Sequence, residues 1–252
     1  MEAPSANAAP GSTVVVAAHQ PNFLPWLGYF YKLRNADIFL VVDNVQFSKG
    51  SYTNRVRVPM GGKTNWMTVP VQIPGSEALI TEITIPSTKF VRQHLNTIRA
   101  TYGKSPFFQE VFALLEPVYL AVAPGHRLDH FNLSLITNIA SYLGLDARME
   151  RISDLGIDGR NNEMLSDATA AVGGGLYVAG RGARSYMEGH ESVYASRGVE
   201  IAYQRFEHPV YPQKLEPFEP GCSIIDAMFQ LGQETRTLLE PQGTPPWTPP
   251  EV

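Results

Sequence analysis

The stretch VVVAAHQPNFLPWLGYFYKLRNADIFLVVD, residues 14–43, decides the fold. Residues 14–18 are a short apolar run of the kind that becomes a buried strand. His19, Gln20, Pro21 and Asn22 follow as a polar loop, stiffened by Pro21 and Pro25, whose rings fix φ. Residues 24–33 set Trp26, Tyr29, Phe30 and Leu33 on one helical stripe. Pro25 falls in the first turn, where its missing N–H is an orphan donor anyway. Residues 38–42 are a second apolar run between Asp37 and Asp43. Strand–loop–helix–strand predicts a right-handed crossover between parallel strands. The loop then lies at the carboxyl end of the first strand, where open α/β sheets gather ligand chemistry.

The rest of the chain extends this unit. Residues 47–58 and 65–73 are β-rich around the turn Met60-Gly61-Gly62-Lys63, predicting a hairpin, and residues 80–85 alternate as a strand. Helical spacing covers residues 90–102, 106–122 and 128–143, with Gly144 as the stop. Strands are expected at 147–152, 176–179 and 199–204, and helices at 163–172, near 183–188 and at 224–230, the last capped by Ser223. The fold class is therefore α/β: a mainly parallel Rossmann-like sheet with flanking helices and a β-hairpin insertion. The expected organisation is one domain over residues 14–240, with a β-rich insertion at about 46–86 and a helical segment at about 90–143. Residues 1–13 are expected to be a disordered leader, without the positive cluster and apolar core of a signal peptide. The proline-rich tail, 241–252, is expected to be extended and mobile.

The 252 residues are 44% hydrophobic and 17% charged, with a net charge of −4. That is ordinary globular composition with enough length for a full core. No basic block suggests a DNA surface, although a local basic groove stays open. No apolar run approaches the roughly 20 residues of a membrane helix. Cys222 is the single cysteine, so no internal disulfide forms and a zinc ribbon or iron–sulfur site is disfavoured. A reduced, cytoplasmic setting fits.

Five segments carry candidate chemistry. In the first loop His19 is positioned to accept a proton or polarise a group, Gln20 and Asn22 offer donors and acceptors, and Trp26 offers a ring. The bland alternative is a hydrogen-bonded turn with Trp26 in the core. After the second strand, Asp43 is a candidate general base, with Gln46 and Lys49 as ligand contacts; the alternative is an Asx-turn and a solvated lysine. On the hairpin, Asn54 and Arg55 suit an anionic ligand, though alternation turns them to opposite faces. Gly180, Gly182 and Arg184 stand in a strand–glycine–helix turn of the kind that cradles anions; a tight turn explains them equally. Finally, His208 is a candidate for proton transfer, with Tyr211, Gln213 and Asp226 as substrate contacts. Asp226 also suits the first turn of a helix with no further role. Cys222 precedes that helix, where a thiol can be acidified. No GxSxG elbow supports serine hydrolysis.

Four blocks resemble the WbqC-like family: HQPNFLPWLGYFYKL; ADIFLVVDNVQFSKGSYTNRVRV with NWMTVPV; YVAGRGARSYM; and FEHPVYPQ with SIIDAMFQLG. They span most of residues 14–235 in the family's order. Gly50 departs from it, since a basic residue is common there, and Gly221-Cys222 replaces an asparagine and an apolar residue, which argues against a shared cysteine mechanism. The resemblance implies bacterial proteins found with genes for surface-polysaccharide and amino-sugar assembly.

Pocket and context together favour acyl or aminoacyl transfer, forming an amide on an amino sugar or another amine-bearing metabolite. The partners would be that small amine and an activated acyl donor, with carrier protein or aminoacyl-tRNA as candidate sources. Asp43 or His19 would take the proton and Asn22 or Gln20 would stabilise the oxyanion. No cofactor is firmly implied. A second expectation is nucleotidyl transfer with magnesium and a nucleotide, by analogy with the HxGH loop, whose second histidine this chain lacks. A third is a non-catalytic ligand-binding or scaffold protein.

Overall fold

Val16, Ala18, Ile38 and Leu40 point to one side of the sheet, and Ala17, Phe39 and Val41 to the other. Both sides bury apolar residues, so the strands read as continuous hydrophobic runs. The computed structural model describes residues 13–157 and 159–249. The leader expected at 1–13 lies almost wholly outside them.

In chain order the elements are β1 (Val15–His19), α1 (Leu27–Arg34), β2 (Ile38–Val41), β3 (Arg55–Met60), β4 (Lys63–Thr68), β5 (Thr84–Ile85), α2 (Lys89–Tyr102), α3 (Phe108–Leu120) and β6 (His126–Arg127). Then come α4 (Leu128–Tyr142), β7 (Arg148–Arg151), α5 (Asn161–Ala171), β8 (Leu176–Ala179), α6 (Arg184–Met187), α7 (Glu191–Ala195), β9 (Glu200–Gln204), α8 (Ile224–Leu231) and β10 (Trp247–Thr248). The main sheet has the order β10-β9-β8-β1-β2-β7. Every pairing in it is parallel except β10 with β9. The α/β class with a mainly parallel sheet, flanking helices and a hairpin (β3–β4) is what the sequence predicted. One side of the sheet carries α1, the hairpin, α2–α4 and α8 in a large aromatic-rich core; α5 and α7 cover the other.

Several boundaries differ from expectation, each for a local reason. Helix α1 starts at Leu27, so Pro25 precedes it; Leu24 sits at φ 42 and Trp26 is extended. Residues 48–54 are turns, closed by Ser51 N–H to Ser48 O and Asn54 N–H to Ser51 O, so the hairpin begins only at Arg55. The strand expected at 80–85 is a 3-10 turn (Ile80–Glu82) followed by β5, because the Glu82 carboxylate accepts from Leu79 N–H at 2.7 Å. In the proline-rich tail, Trp247 and Thr248 pair with Gln204 and Tyr203.

Candidate functional site

Strand β1 lies at the centre of the sheet, with β2 on one side and β8 on the other. The chain leaves β1 toward β2 and returns later to β8. The carboxyl ends of β1 and β8 therefore flank a switch in winding direction, the place where open α/β sheets leave a crevice. A cleft of about 690 Å³ is found there, lined by His19, Gln20, Trp26, Lys32, Gly180 and Arg181 among others. Arg181, Gln204 and Phe206 also border a second groove of about 800 Å³, which adds Arg184, Arg205 and His208. A hollow of about 510 Å³ around Asp37 opens at the other edge of the sheet, by the amino ends of β1 and β2.

The first loop is held from three sides. Thr53 Oγ1 lies 3.2 Å from Gln20 Oε1 and 3.5 Å from Asn22 Oδ1. Asn132 Nδ2 donates to Pro21 O at 2.8 Å and Thr53 O at 2.7 Å. Ser223 Oγ, at the amino end of α8, donates to Leu24 O at 2.7 Å. This bracing fixes His19 against Trp26 and Tyr29, with ring centroids 5.5 and 5.0 Å away. His19 Nδ1 lies 3.2 Å from Gln20 O. A carbonyl only accepts, so Nδ1 carries the hydrogen and Nε2 keeps its lone pair. Burial, helped by the neighbouring Lys32 ammonium, pulls the imidazole down to about 3 against the opposing bond to Gln20 O. His19 is thus neutral at physiological pH, with an acceptor nitrogen that no described residue engages.

Lys32 is the feature that sequence reading missed. Every residue of α1 from Leu27 to Leu33 is buried, and Lys32 is only 6% exposed. Its Nζ donates to Ala18 O at 3.1 Å, and burial lowers it to about 8. The available signal was a lysine inside an otherwise apolar helix. Gly180 lies against this lysine: a Cβ there would stand in ordinary van der Waals contact, 3.5 Å from Lys32 Nζ. Gly28, by contrast, is needed by proximity, since a Cβ there would stand 2.8 Å from Trp26 Nε1 and 3.0 Å from the Phe206 ring. Arg181, Tyr177 and Phe206 were also missed as lining residues.

We expect Lys32→Met to stabilise the protein. Holding a buried ammonium whose pKa falls from 10.5 to about 8 opposes folding by on the order of 3 kcal/mol. Between those pH values the unfolded chain binds the proton more tightly, so wild-type stability rises with pH across that window. The variant should be more stable at pH 7 and lose that slope. Denaturant titrations at pH 7 and pH 10 read both; a less stable variant would show that Lys32 serves packing.

The other expected site residues divide. His19, Gln20, Trp26, Gly180 and Gly182 share the cleft; Arg184 and His208 line the adjoining groove. Arg184 stacks on Tyr203 at 5.0 Å. His208 Nδ1 lies 3.0 Å from Pro209 O, its Nε2 is buried without a partner, and burial lowers its pKa. The anion cradle at Gly180–Gly182 opens only a 3-10 turn (Arg181–Ala183) and four-residue α6, too short for a sizeable dipole.

Asn22 turns into the core, 3% exposed, away from the oxyanion position suggested for it. Asp43 is also displaced from the expected role. It is fully buried and accepts from Arg151 Nε at 2.7 Å, Ser153 Oγ at 2.8 Å and Ser153 N at 3.0 Å. Both oxygens are occupied in tying β2 to β7, so it is no free base. Gln46 binds Ser76 O, Lys49 is exposed, and Asn54 donates to Val69 O, all apart from the cleft residues. Arg55 lies over Trp66 at 4.1 Å on the hairpin. Asp226 accepts from Tyr102, Tyr211 and Gln213 at 3.0, 2.8 and 2.9 Å, away from the cleft residues. These four form a buried knot beneath α8. Cys222 beside it is pushed up to about 11, first by burial and then by Asp226, and is no activated thiol.

Fold and cleft define an α/β protein with a central crevice at the switch point of an open sheet. The chain belongs to the WbqC-like protein family, whose model matches residues 20–238. Over 231 residues it is 31% identical to the uncharacterized protein Rv1507c of Mycobacterium tuberculosis, covering 89% of this chain and 96% of that one. No solved structure matches it. Among the described residues, no helix is long and apolar enough to cross a membrane.

Proposed function

We propose that the protein transfers an acyl or aminoacyl group to an amine-bearing small metabolite, such as an amino sugar, forming an amide. The observation that carries this reading is His19 Nε2: an unengaged acceptor in a central cleft, held neutral beside the Lys32 ammonium. The acceptor amine donates a hydrogen bond to Nε2 and attacks the acyl carbonyl. As the C–N bond forms, the nitrogen becomes acidic and its proton passes to Nε2. The carbonyl oxygen gains the negative charge, which the buried Lys32 Nζ stabilises. Collapse expels the donor's leaving group, which takes the proton from His19, so the products are the amide and the protonated leaving group. An anion beside Lys32 offsets one cause of the low basicity of His19. The groove with Arg181, Arg184 and Arg205 suits a phosphate or carboxylate on the acceptor.

The reading is tested by mass spectrometry of amino sugars incubated with the protein and activated acyl donors. A mass gain equal to the acyl group less one hydrogen on the amine supports it. Release of pyrophosphate from a nucleoside triphosphate with magnesium, without an amide product, favours nucleotidyl transfer instead. Tight binding of amine and donor with no product favours a scaffold.

A further inference from the structure

A second approach to His19 runs along the hairpin. Trp26 lines the cleft and stands 5.3 Å from Tyr52, which stands 5.5 Å from Trp66. Trp26 and Tyr52 are half-buried, and Trp66 is 43% exposed. Four rings, counting His19, thus form a continuous aromatic row from the hairpin to the cleft. At its outer end the Arg55 guanidinium lies over Trp66 at 4.1 Å. It makes no hydrogen bond or ion pair with any described residue, and its Nε is buried without a partner. Arg57, by contrast, pairs with Glu219. A half-buried guanidinium with no acceptor calls for an anion from outside, and a phosphate matches its fork. Gly50 leaves the space open, since a Cβ there would stand 3.5 Å from Arg55 Cζ, and Lys49 adds a second positive charge next to it in the chain.

We propose that this row is the track of a phosphopantetheine-type thioester arm, with its phosphate on Arg55 and its acyl carbon delivered beside His19. The inference rests on the acyl-transfer reading and names its donor. The arm is about five residue-lengths of extended chain at ~3.4 Å each, the same order as the path from Arg55 to the cleft. Consecutive rings are inclined by 52° and 61°. No two faces are parallel, which disfavours a run of stacked nucleotide bases and suits a narrow arm of amides and methyl groups. The acceptor then enters past Phe206 from the arginine groove and the donor past Trp26, so the two meet at His19. The amine nitrogen bonds to the thioester carbon, the C–S bond breaks, and the nitrogen's proton passes through His19 to the departing thiolate. An amide and a free thiol result.

Calorimetric titration with 4′-phosphopantetheine and with pantetheine tests the phosphate site. Phosphopantetheine should bind at least tenfold more tightly. Arg55→Gln should remove that preference while staying folded, since the guanidinium makes no hydrogen bond or ion pair with a described residue and loses only its contact over Trp66. Trp66→Ala should weaken both ligands three- to tenfold. Coenzyme A and a holo-acyl carrier protein then separate a free from a carrier-bound source, and Arg55-dependent binding of either upholds the proposal. Equal affinity for the two small probes, binding of neither, or Arg55-dependent binding of AMP but not of phosphopantetheine overturns it. Amide formation from a non-thioester donor that is indifferent to Arg55→Gln would sink the donor track and leave amide transfer standing. Arg55-dependent arm binding without amide formation on any amine would do the reverse.

Discussion

His19→Gln should lower the rate of amide formation by about 10²–10⁴-fold, the usual range for losing a positioned acid–base group. Glutamine retains similar bulk and a hydrogen-bonding tip, so the affinity for acceptor and donor should change only a few-fold. A loss confined to turnover marks an interaction made in the transition state. The pH behaviour separates proton transfer from packing. Burial and Lys32 hold the imidazole near 3, whereas an unfolded histidine titrates near 6.5. Between those values the unfolded chain binds a proton that the folded cleft refuses. Stability therefore falls as the pH drops through this window, and the variant should lose less stability on acidification. His94, lowered to about 4 mainly by burial, keeps its own share of that slope in both proteins. Wild-type turnover should show no acid limb from His19 above pH 5. Unchanged turnover in His19→Gln would remove the mechanism.

The central crossover was legible because its information is local. Alternation through β1 and β2 is set by residues next to one another, and both sides are apolar because both sides are covered. The position of His19 followed from the same run. What escaped depends on contacts far along the chain. Whether the acid after β2 faces the cleft or a neighbouring strand is decided by Arg151, 108 residues away. Asp226 likewise meets Tyr102 across 124 residues. Trp247 and Thr248 look like unstructured tail because only the open edge of β9 makes them a strand. Lys32 is hidden for another reason: a helical stripe is defined by its apolar members, and a charge among them leaves no mark on that pattern. A lysine that opposes folding where it sits is itself a sign of chemistry.

The second large effect belongs to Asp43, and it should appear as stability. Removing one member of a buried ion pair leaves the other charge uncompensated, at about 3–5 kcal/mol. Asp43→Ala takes one of two buried carboxylates from Arg151 and also leaves the Ser153 N–H and hydroxyl without their acceptor. Arg151 still reaches Asp129 at 2.6 Å, and Asp129 keeps Arg127, so the network is damaged rather than dissolved. The expected result is a large fall in the denaturant midpoint with an unchanged slope. The fraction that remains folded should keep most of its turnover, because neither Asp43 oxygen is free to face the cleft. Combining Asp43→Ala with Arg151→Met removes the under-compensated charge and should recover part of the loss, so that the double variant is more stable than the sum of the two single losses predicts. If Asp43→Ala instead folded normally and lost only turnover, the carboxylate would have to leave Arg151 during the reaction. The base of the proposed transfer would then be Asp43, with His19 reduced to orienting the amine.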